Sequence, residues 1–228
     1  MSAEVATIVL IDLDRHHRLW GFNHFLFGRF GLRRAPGLRL CKVMGSGHHG
    51  GFGLRPSSTR QGVFCVFETE AHADDFLRNS PGLAAYRARG REFFECKLRA
   101  FSSRGSWSGR QFEPATERPE QGPIAALTRA SIRPTRIAAF WRRSPPSERA
   151  LAQSQGCLLA VGLGEAPLLR QATFSIWNSI ADMDAYARSG AHLEAIRAAR
   201  QDDLFSESLF MRFVPLSMRG TWQGRHYG

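Results

Sequence analysis

Arg104-Gly105-Ser106-Trp107-Ser108-Gly109-Arg110 returns as Arg219-Gly220-Thr221-Trp222-Gln223-Gly224-Arg225. The chain is two copies of one unit, and a repeat of this size sets the fold before any local reading does. Shifted by 110 positions, Phe64-Cys65-Val66-Phe67 meets Phe174-Ser175-Ile176-Trp177. Asp74, Arg78, Leu83, Ala85 and Arg87 then meet Asp184, Arg188, Leu193, Ala195 and Arg197, and His192 lies opposite Gly82. Residues kept by both copies read as structural. A histidine held by one copy alone is a place to look for chemistry.

Working outward from the repeat, copy one (1–110) reads as strand 6–13, helix 17–30, strand 38–44, strand 62–67, helix 70–89 and strand 92–101. The helix positions rest on Leu19, Phe22, Leu26 and Phe30 at helical spacing, and Thr69 is placed to cap the second helix. Copy two (124–228) repeats the order with strands at 124–131, 157–163, 171–177 and 208–215. Arg136 and Phe140 match Arg18 and Phe22, Ser144-Pro145-Pro146 ends its first helix early, and Ser179 opens the last helix with an S-x-x-D box closed by Asp182. Residues 111–123, with three prolines and three glutamates, read as a linker. The order β-α-β-β-α-β, twice, is that of tandem ferredoxin-like repeats. Packing the two bare sheet faces together predicts an α+β body resembling a dimeric α/β barrel.

The chain has 228 residues, a formal net charge of +11 and two lysines, Lys42 and Lys97, so arginine supplies nearly all the positive charge. Such a balance suits nucleic acid, an anionic membrane surface or an acidic protein partner. The charge is scattered, with no basic helix, zinc-finger spacing or aromatic-basic pattern, which speaks against nucleic acid. No apolar run reaches the roughly 18 residues of a membrane span, and the first residues do not resemble a secretory signal. Cys41, Cys65, Cys96 and Cys157 form no C-x-x-C pair and read as buried thiols in a reducing, cytoplasmic setting.

Two motifs invite a functional reading and fail it. Gly45-Ser46-Gly47-His48-His49-Gly50 fits the dinucleotide fingerprint in letters, but Gly51-Phe52-Gly53-Leu54-Arg55-Pro56 is a poor start for the helix that must follow. A flexible loop rimming a pocket, with exposed His48 and His49, is the better reading. His72-Ala73-Asp74 has the H-x-D letters of an iron facial triad, but on a helix positions i and i+2 diverge, so a solvated helix turn is expected. More informative is the aromatic surplus of 17 phenylalanines and five tryptophans. Phe22, Phe25, Phe27 and Phe30 exceed what one helix face needs, which suits a long apolar ligand or a planar cofactor. His192 follows Ser189-Gly190, and Ala195, Ile196 and Ala199 give the turns after it a small apolar face over which a haem could approach. On the residues alone, a partly exposed helix histidine is the plainer reading.

The set Gly45-Ser46-Gly47, Gly122 to Ala130, Ile132-Arg133-Pro134, Thr173 to Trp177, His192 to Arg197 and the two tryptophan tails resembles the spheroidene monooxygenase family, over nearly the whole chain. The resemblance implies a haem-dependent oxygenase that places a keto group at C-2 of an acyclic carotenoid, with reduced ferredoxin as electron donor. It also implies kinship with dimeric α/β-barrel haem proteins. From these the expectations are His192 as haem ligand, Ala195 and Ala199 as the cofactor-binding helix face, and Arg129 as a catalytic residue polarising bound dioxygen. Peripheral association with an anionic membrane follows from a bilayer-borne substrate, and a homo-oligomer is left open. The alternatives are a cofactor-free monooxygenase or isomerase of the antibiotic-biosynthesis type, and a non-catalytic haem- or apolar-ligand-binding protein.

Overall fold

The computed structural model describes residues 4–27, 29–48, 51, 55–142, 151, 154–166, 168–188, 190, 193–194, 197 and 201–228. The first half runs β1 (Val5–Leu13), α1 (Arg18–Phe27), α2 (Arg29–Leu32), β2 (Leu38–Gly47), β3 (Pro56–Phe67), α3 (Glu70–Asn79), α4 (Pro81–Arg87) and β4 (Gly90–Gly105). The second runs β5 (Ile124–Ile132), α5 (137–142), β6 (Cys157–Ala166), β7 (Arg170–Trp177), α6 (Ile180–Ala187), β8 (Phe205–Trp222) and a short β9 (Arg225–Tyr227).

Strand order is β4-β1-β3-β2 in the first half and β8-β5-β7-β6 in the second, so each half repeats the other's arrangement. All the pairings are antiparallel, and β4 also pairs β8 over a long register from Phe94↔Gly220 to Gly105↔Leu209. At the other seam β2 meets β6 through two residue pairs, Gly45↔Gly164 and Ser46↔Leu163. The eight strands therefore close into a ring. The two sheets were expected to stack face on face. Their inner faces do share one buried cluster, and in addition their edges join, along a long ladder at β4–β8 and through two residue pairs at β2–β6.

Alternation along each strand splits the core into layers. Ile8 and Leu10 of β1 point inward with Phe64, Phe94, Leu127, Phe174, Met211 and Phe213, in one cluster drawn from both halves. Val5, Val9 and Ile11 point outward, beneath Phe76, Leu77, Leu83 and Tyr86 of α3 and α4. In the second half Ala126, Ile124 and Trp177 form a smaller outer cluster with Met183.

The tails of the repeat are reciprocal clamps. After β4, Gly109 donates its backbone N–H to Glu207 of β8 at 2.8 Å and Ser106 its hydroxyl at 3.0 Å. After β8, Gln223 and Gly224 donate theirs to Glu92 of β4 at 2.9 and 2.7 Å. Gly105 and Gly220, at φ +94° and +97°, pass so close to the Ser208 and Phe93 carbonyls that neither position has room for a Cβ. Trp107 and Trp222 fall at equivalent buried positions.

Several boundaries differ from the sequence expectation. The helix expected over 70–89 breaks at Ser80-Pro81, where Pro81 lacks an N–H and Ser80 caps the new helix by accepting from Leu83 N–H. The strand expected to stop at Pro215 continues to Trp222, because Pro215 sits where the β4–β8 register shifts and a missing donor is tolerated. Gly45–Gly47 continue β2 and lead into β3, not into a helix. The turn at His72 is less solvated than expected: His72 is half-buried and Asp74 accepts from Lys97 at 2.8 Å. The caps at Thr69 and Ser179 form as read, each accepting from the backbone N–H three residues on at 3.1 Å. Cys41, Cys65 and Cys96 are buried and Cys157 half-buried, all as free thiols. In segment 111–123, Phe112 packs into the ring interior and Ala115 donates to the Ala100 carbonyl. Ser144-Pro145-Pro146 lies outside the described residues.

Candidate active site

The two halves share strand order but not the chemistry of their outer faces. Equivalent ladder positions pair Val9 with Thr128, Ile11 with Ala130, Cys41 with Ala160 and Val43 with Gly162. They also pair Val63 with Thr173, Cys65 with Ser175 and Phe93 with Ser208. At all seven the second-half residue is smaller or more polar. Val9, Ile11, Val63 and Cys65 are fully buried, whereas Thr128 is exposed and Ala130, Ala160 and Thr173 are half-buried.

This floor borders a cleft of about 90 Å³ between Thr128, Thr173, Ser175, Phe210, Met183 and Tyr186. At one end Trp177 donates its indole N–H to Ser175 Oγ at 2.9 Å, which fixes that ring. At another, Arg212 holds Asp184 of α6 at 3.1 Å and lies over the Phe210 ring at 5.3 Å. His192, Ala195 and Ala199 belong to the stretch that follows α6 and lie outside the described residues, as does His49. Among the described residues no group of three or more His, Cys, Asp and Glu gathers for a metal; a single-histidine ligand would not form such a group.

Arg129 stands apart from this cleft. Thr128 faces out, so the next residue faces in, and Arg129 occupies the interior position that Leu10 holds in the first half. It is 2% exposed. Its guanidinium donates to Glu165 at 3.3 Å and to Glu207. Glu165 also accepts from the Trp107 indole N–H at 2.7 Å and from Lys42 at 2.9 Å. Burial pushes the Glu207 carboxyl up, but the Gly109 and Ser108 backbone, the Ser106 hydroxyl and Arg129 outweigh it and hold it at about 2. Two cations and two anions thus compensate each other at one end of the ring. The structure does not bring Arg129 and the outer cleft together.

A second, larger cavity of about 480 Å³ lies at the short β2–β6 seam. Leu19, Phe22 and Phe25 of α1 face Trp141 of α5 and Leu168 across it, above Gly45, Leu163 and Gly164. Gln61 and Gln171, equivalent residues of β3 and β7, line it too. Sequence reasoning pointed to the aromatic surplus of α1 but missed the stripped floor. The signal was present: the strands align at an offset of 119 for β1 and β2, 110 for β3 and 115 for β4, and a single offset hides the substitutions.

This fold and its outer cleft define an α+β barrel protein. Solved aldoxime dehydratase structures are similar: one, at 11% identity, covers 93% of this chain and 81% of its own with a TM-score of 0.59. Another, OxdRE in complex with butyraldoxime, gives 0.61 at 9% identity over 93% and 79%. No family model matches the chain. Spheroidene monooxygenase of Rubrivivax gelatinosus is 53% identical over 227 residues, covering 100% of this chain and 88% of that protein. That of Rhodobacter capsulatus is 37% identical over 97% and 94%, and that of Cereibacter sphaeroides 32% over 91% and 65%. The chain belongs to the spheroidene monooxygenase family and is an oxidoreductase of the monooxygenase type.

Proposed function

We propose that this chain is a haem-dependent monooxygenase that introduces a C-2 keto group into spheroidene or a related acyclic carotenoid. The observation that carries the reading is the outer face of the second half, smaller or more polar than its counterpart at seven equivalent positions. The relatives, spheroidene monooxygenases of Rubrivivax gelatinosus and Rhodobacter capsulatus, suggest the substrate class. We read the halves, 1–110 and 124–228, as tandem ferredoxin-like repeats on either side of 111–123, a view supported by their common strand order. One chain supplies all eight strands, so closing the barrel calls for no second copy.

The residues present suit a haem. A floor of Ala130, Ala160 and Gly162 would let a planar ring approach the sheet, and Thr128 and Thr173 would add hydroxyls without bulk. In this reading His192 would ligate the iron, and Ala195 and Ala199 would offer the ring a small apolar surface. Haem, when bound, supplies the dioxygen chemistry that acid–base side chains cannot, since a C–H bond of a polyene end is too strong for them. The chain's own share is to hold the polyene end and shield it from water. The Arg129 cluster, on the opposite sheet face, serves the barrel closure in this reading. Reduced ferredoxin, an acidic protein, suits a net charge of +11. A bilayer-borne substrate calls for a chain that works at a membrane surface from the cytoplasmic side, and among the described residues no helix is long and apolar enough to cross one.

Expression in a spheroidene-producing host that lacks its own ketolase tests the substrate. The 2-keto product is expected; unchanged pigment beside folded protein and a working electron donor overturns the assignment. His192→Ala should lose the Soret band of the haem-loaded protein while the fold survives. An unchanged spectrum with normal turnover removes His192 as ligand, and a native protein with no Soret band returns the cofactor-free alternative.

A further inference from the structure

Helix α1 is held to the barrel by one side only. Gly21 lies so close to Leu13 and Gln61 that an added Cβ would sit 2.3 Å from Leu13, and Gln61 donates to the Gly21 carbonyl at 2.6 Å. Trp20 stacks on His24 at 4.1 Å, and both rings pack edge-on against Tyr86. The other side carries Leu19, Phe22, Leu26 and Phe27, which are 74, 60, 41 and 63% exposed. Four large apolar side chains turned to solvent on one helix are a patch that asks for a covering. Leu168, across the seam cavity, is 42% exposed as well.

The two stretches of chain that supply this face are cationic. From Arg15 to Phe67 the sequence holds eight arginines, one lysine and no acid. From Gln121 to Ser147, the stretch that supplies α5 and Trp141, it holds five arginines and again no acid. Arg15, Arg18, Arg33, Arg34, Arg136 and Arg142 are exposed. An apolar helix face rimmed by arginine is the composition of a helix that lies in the headgroup region of an anionic bilayer.

The cavity at this face and the proposed site are separate, but one face of β7 borders both. On a strand, residues two apart share a face at a spacing of about 7 Å. Gln171 of β7 lines the seam cavity, and Thr173, Ser175 and Trp177, next on the same face, line the second-half cleft.

We propose that the outer face of α1 seats the protein on an anionic lipid bilayer, so that the seam cavity opens into the lipid and admits an elongated apolar ligand to the second-half face. The identity of that ligand rests on the carotenoid reading; the docking does not. An acidic protein partner would neutralise the same arginines but would plug the cavity mouth, which lipid leaves passable.

The test uses the full chain. Flotation with phosphatidylglycerol vesicles should capture it, and phosphatidylcholine vesicles should capture it at least tenfold less. The triple variant Leu19→Ser, Phe22→Ser, Phe27→Ser, whose positions are already exposed, should fold normally and bind phosphatidylglycerol at least tenfold more weakly. Gly45→Trp, at a position where an added Cβ meets only Phe25 at 3.8 Å, should fill the cavity. It should weaken binding of the tetraene cis-parinaric acid at least tenfold and leave flotation unchanged. Undiminished flotation of a folded triple variant overturns the docking, and does so in favour of the acidic donor if the variant has lost affinity for reduced ferredoxin instead. Undiminished parinaric acid binding by Gly45→Trp overturns the route. None of these readouts needs turnover, so failure here and failure of the proposed reaction are distinguishable.

Discussion

The outer faces of the two halves share a backbone plan and do opposite things. In the first half Val9, Ile11, Val63 and Cys65 are sealed under Phe76, Leu77, Leu83 and Tyr86. Fully burying each aliphatic side chain there stabilises the fold by about 1.5–3 kcal/mol. In the second half the same positions carry Thr128, Ala130, Thr173 and Ser175, of which only Ser175 is buried. A duplicated unit can thus divide its labour: one copy supplies stability, and in the proposed reading the other copy's face is free for a ligand. Natural chains give up local stability at functional sites and recover it elsewhere.

The comparison breaks most sharply if the second face is refilled. Ala130→Ile with Gly162→Val and Ser208→Phe, the first-half residues at those positions, should lower turnover by about a thousandfold or more. The lost ligand-binding volume should come with a melting temperature unchanged or raised. Normal turnover would mean the stripped face is not the site. Next in size, Ile11→Ala opens a cavity in the sealed face and should cost about 2–5 kcal/mol in chemical denaturation, as large-to-small core changes do. A cost near zero would mean the first-half face is not the stabilising one.

The twin tryptophans sharpen the contrast further. Trp107→Phe removes a donor from the buried Glu165 cluster and should destabilise by about 1–3 kcal/mol. Trp222 Nε1 is buried with no hydrogen-bond partner, so Trp222→Phe should cost less than Trp107→Phe in the same assay. A further effect is expected from acid. The Glu207 carboxyl sits at about 2, below its ordinary value of 4.5. A depressed carboxylate contributes stability that is complete above pH 4.5 and lost as pH falls through 2. Denaturation midpoints should therefore decline over that window in the native chain, and Glu207→Gln should flatten the decline.

Much of this was readable before any coordinates. The twin tryptophan motifs gave the duplication, and Thr69 and Ser179 cap their helices because a hydroxyl placed before an apolar-periodic run satisfies a free N–H. Arg129 shows where such reading stops short. Its place on an inward position follows from strand alternation, but its partners Glu165 and Glu207 arrive from β6 and β8, remote in sequence. The break at Ser80-Pro81 was written in the residues and overlooked because the helical periodicity runs on through it.

The sequence by itself determined the repeat, the order of strands and helices, the caps and the surplus of apolar surface on α1, all properties of neighbours along the chain. Only the tertiary structure decided that the sheets close edge to edge through β4–β8 and β2–β6, that Arg129 faces the interior, and that Thr128, Ala130, Ala160 and Thr173 keep exposure where their first-half counterparts Val9, Ile11, Cys41 and Val63 are buried. Edge pairing and the covering of a face depend on groups brought together from distant segments. No local pattern of hydrophobicity specifies which edge a strand will meet or how much volume remains between a sheet and the helix above it.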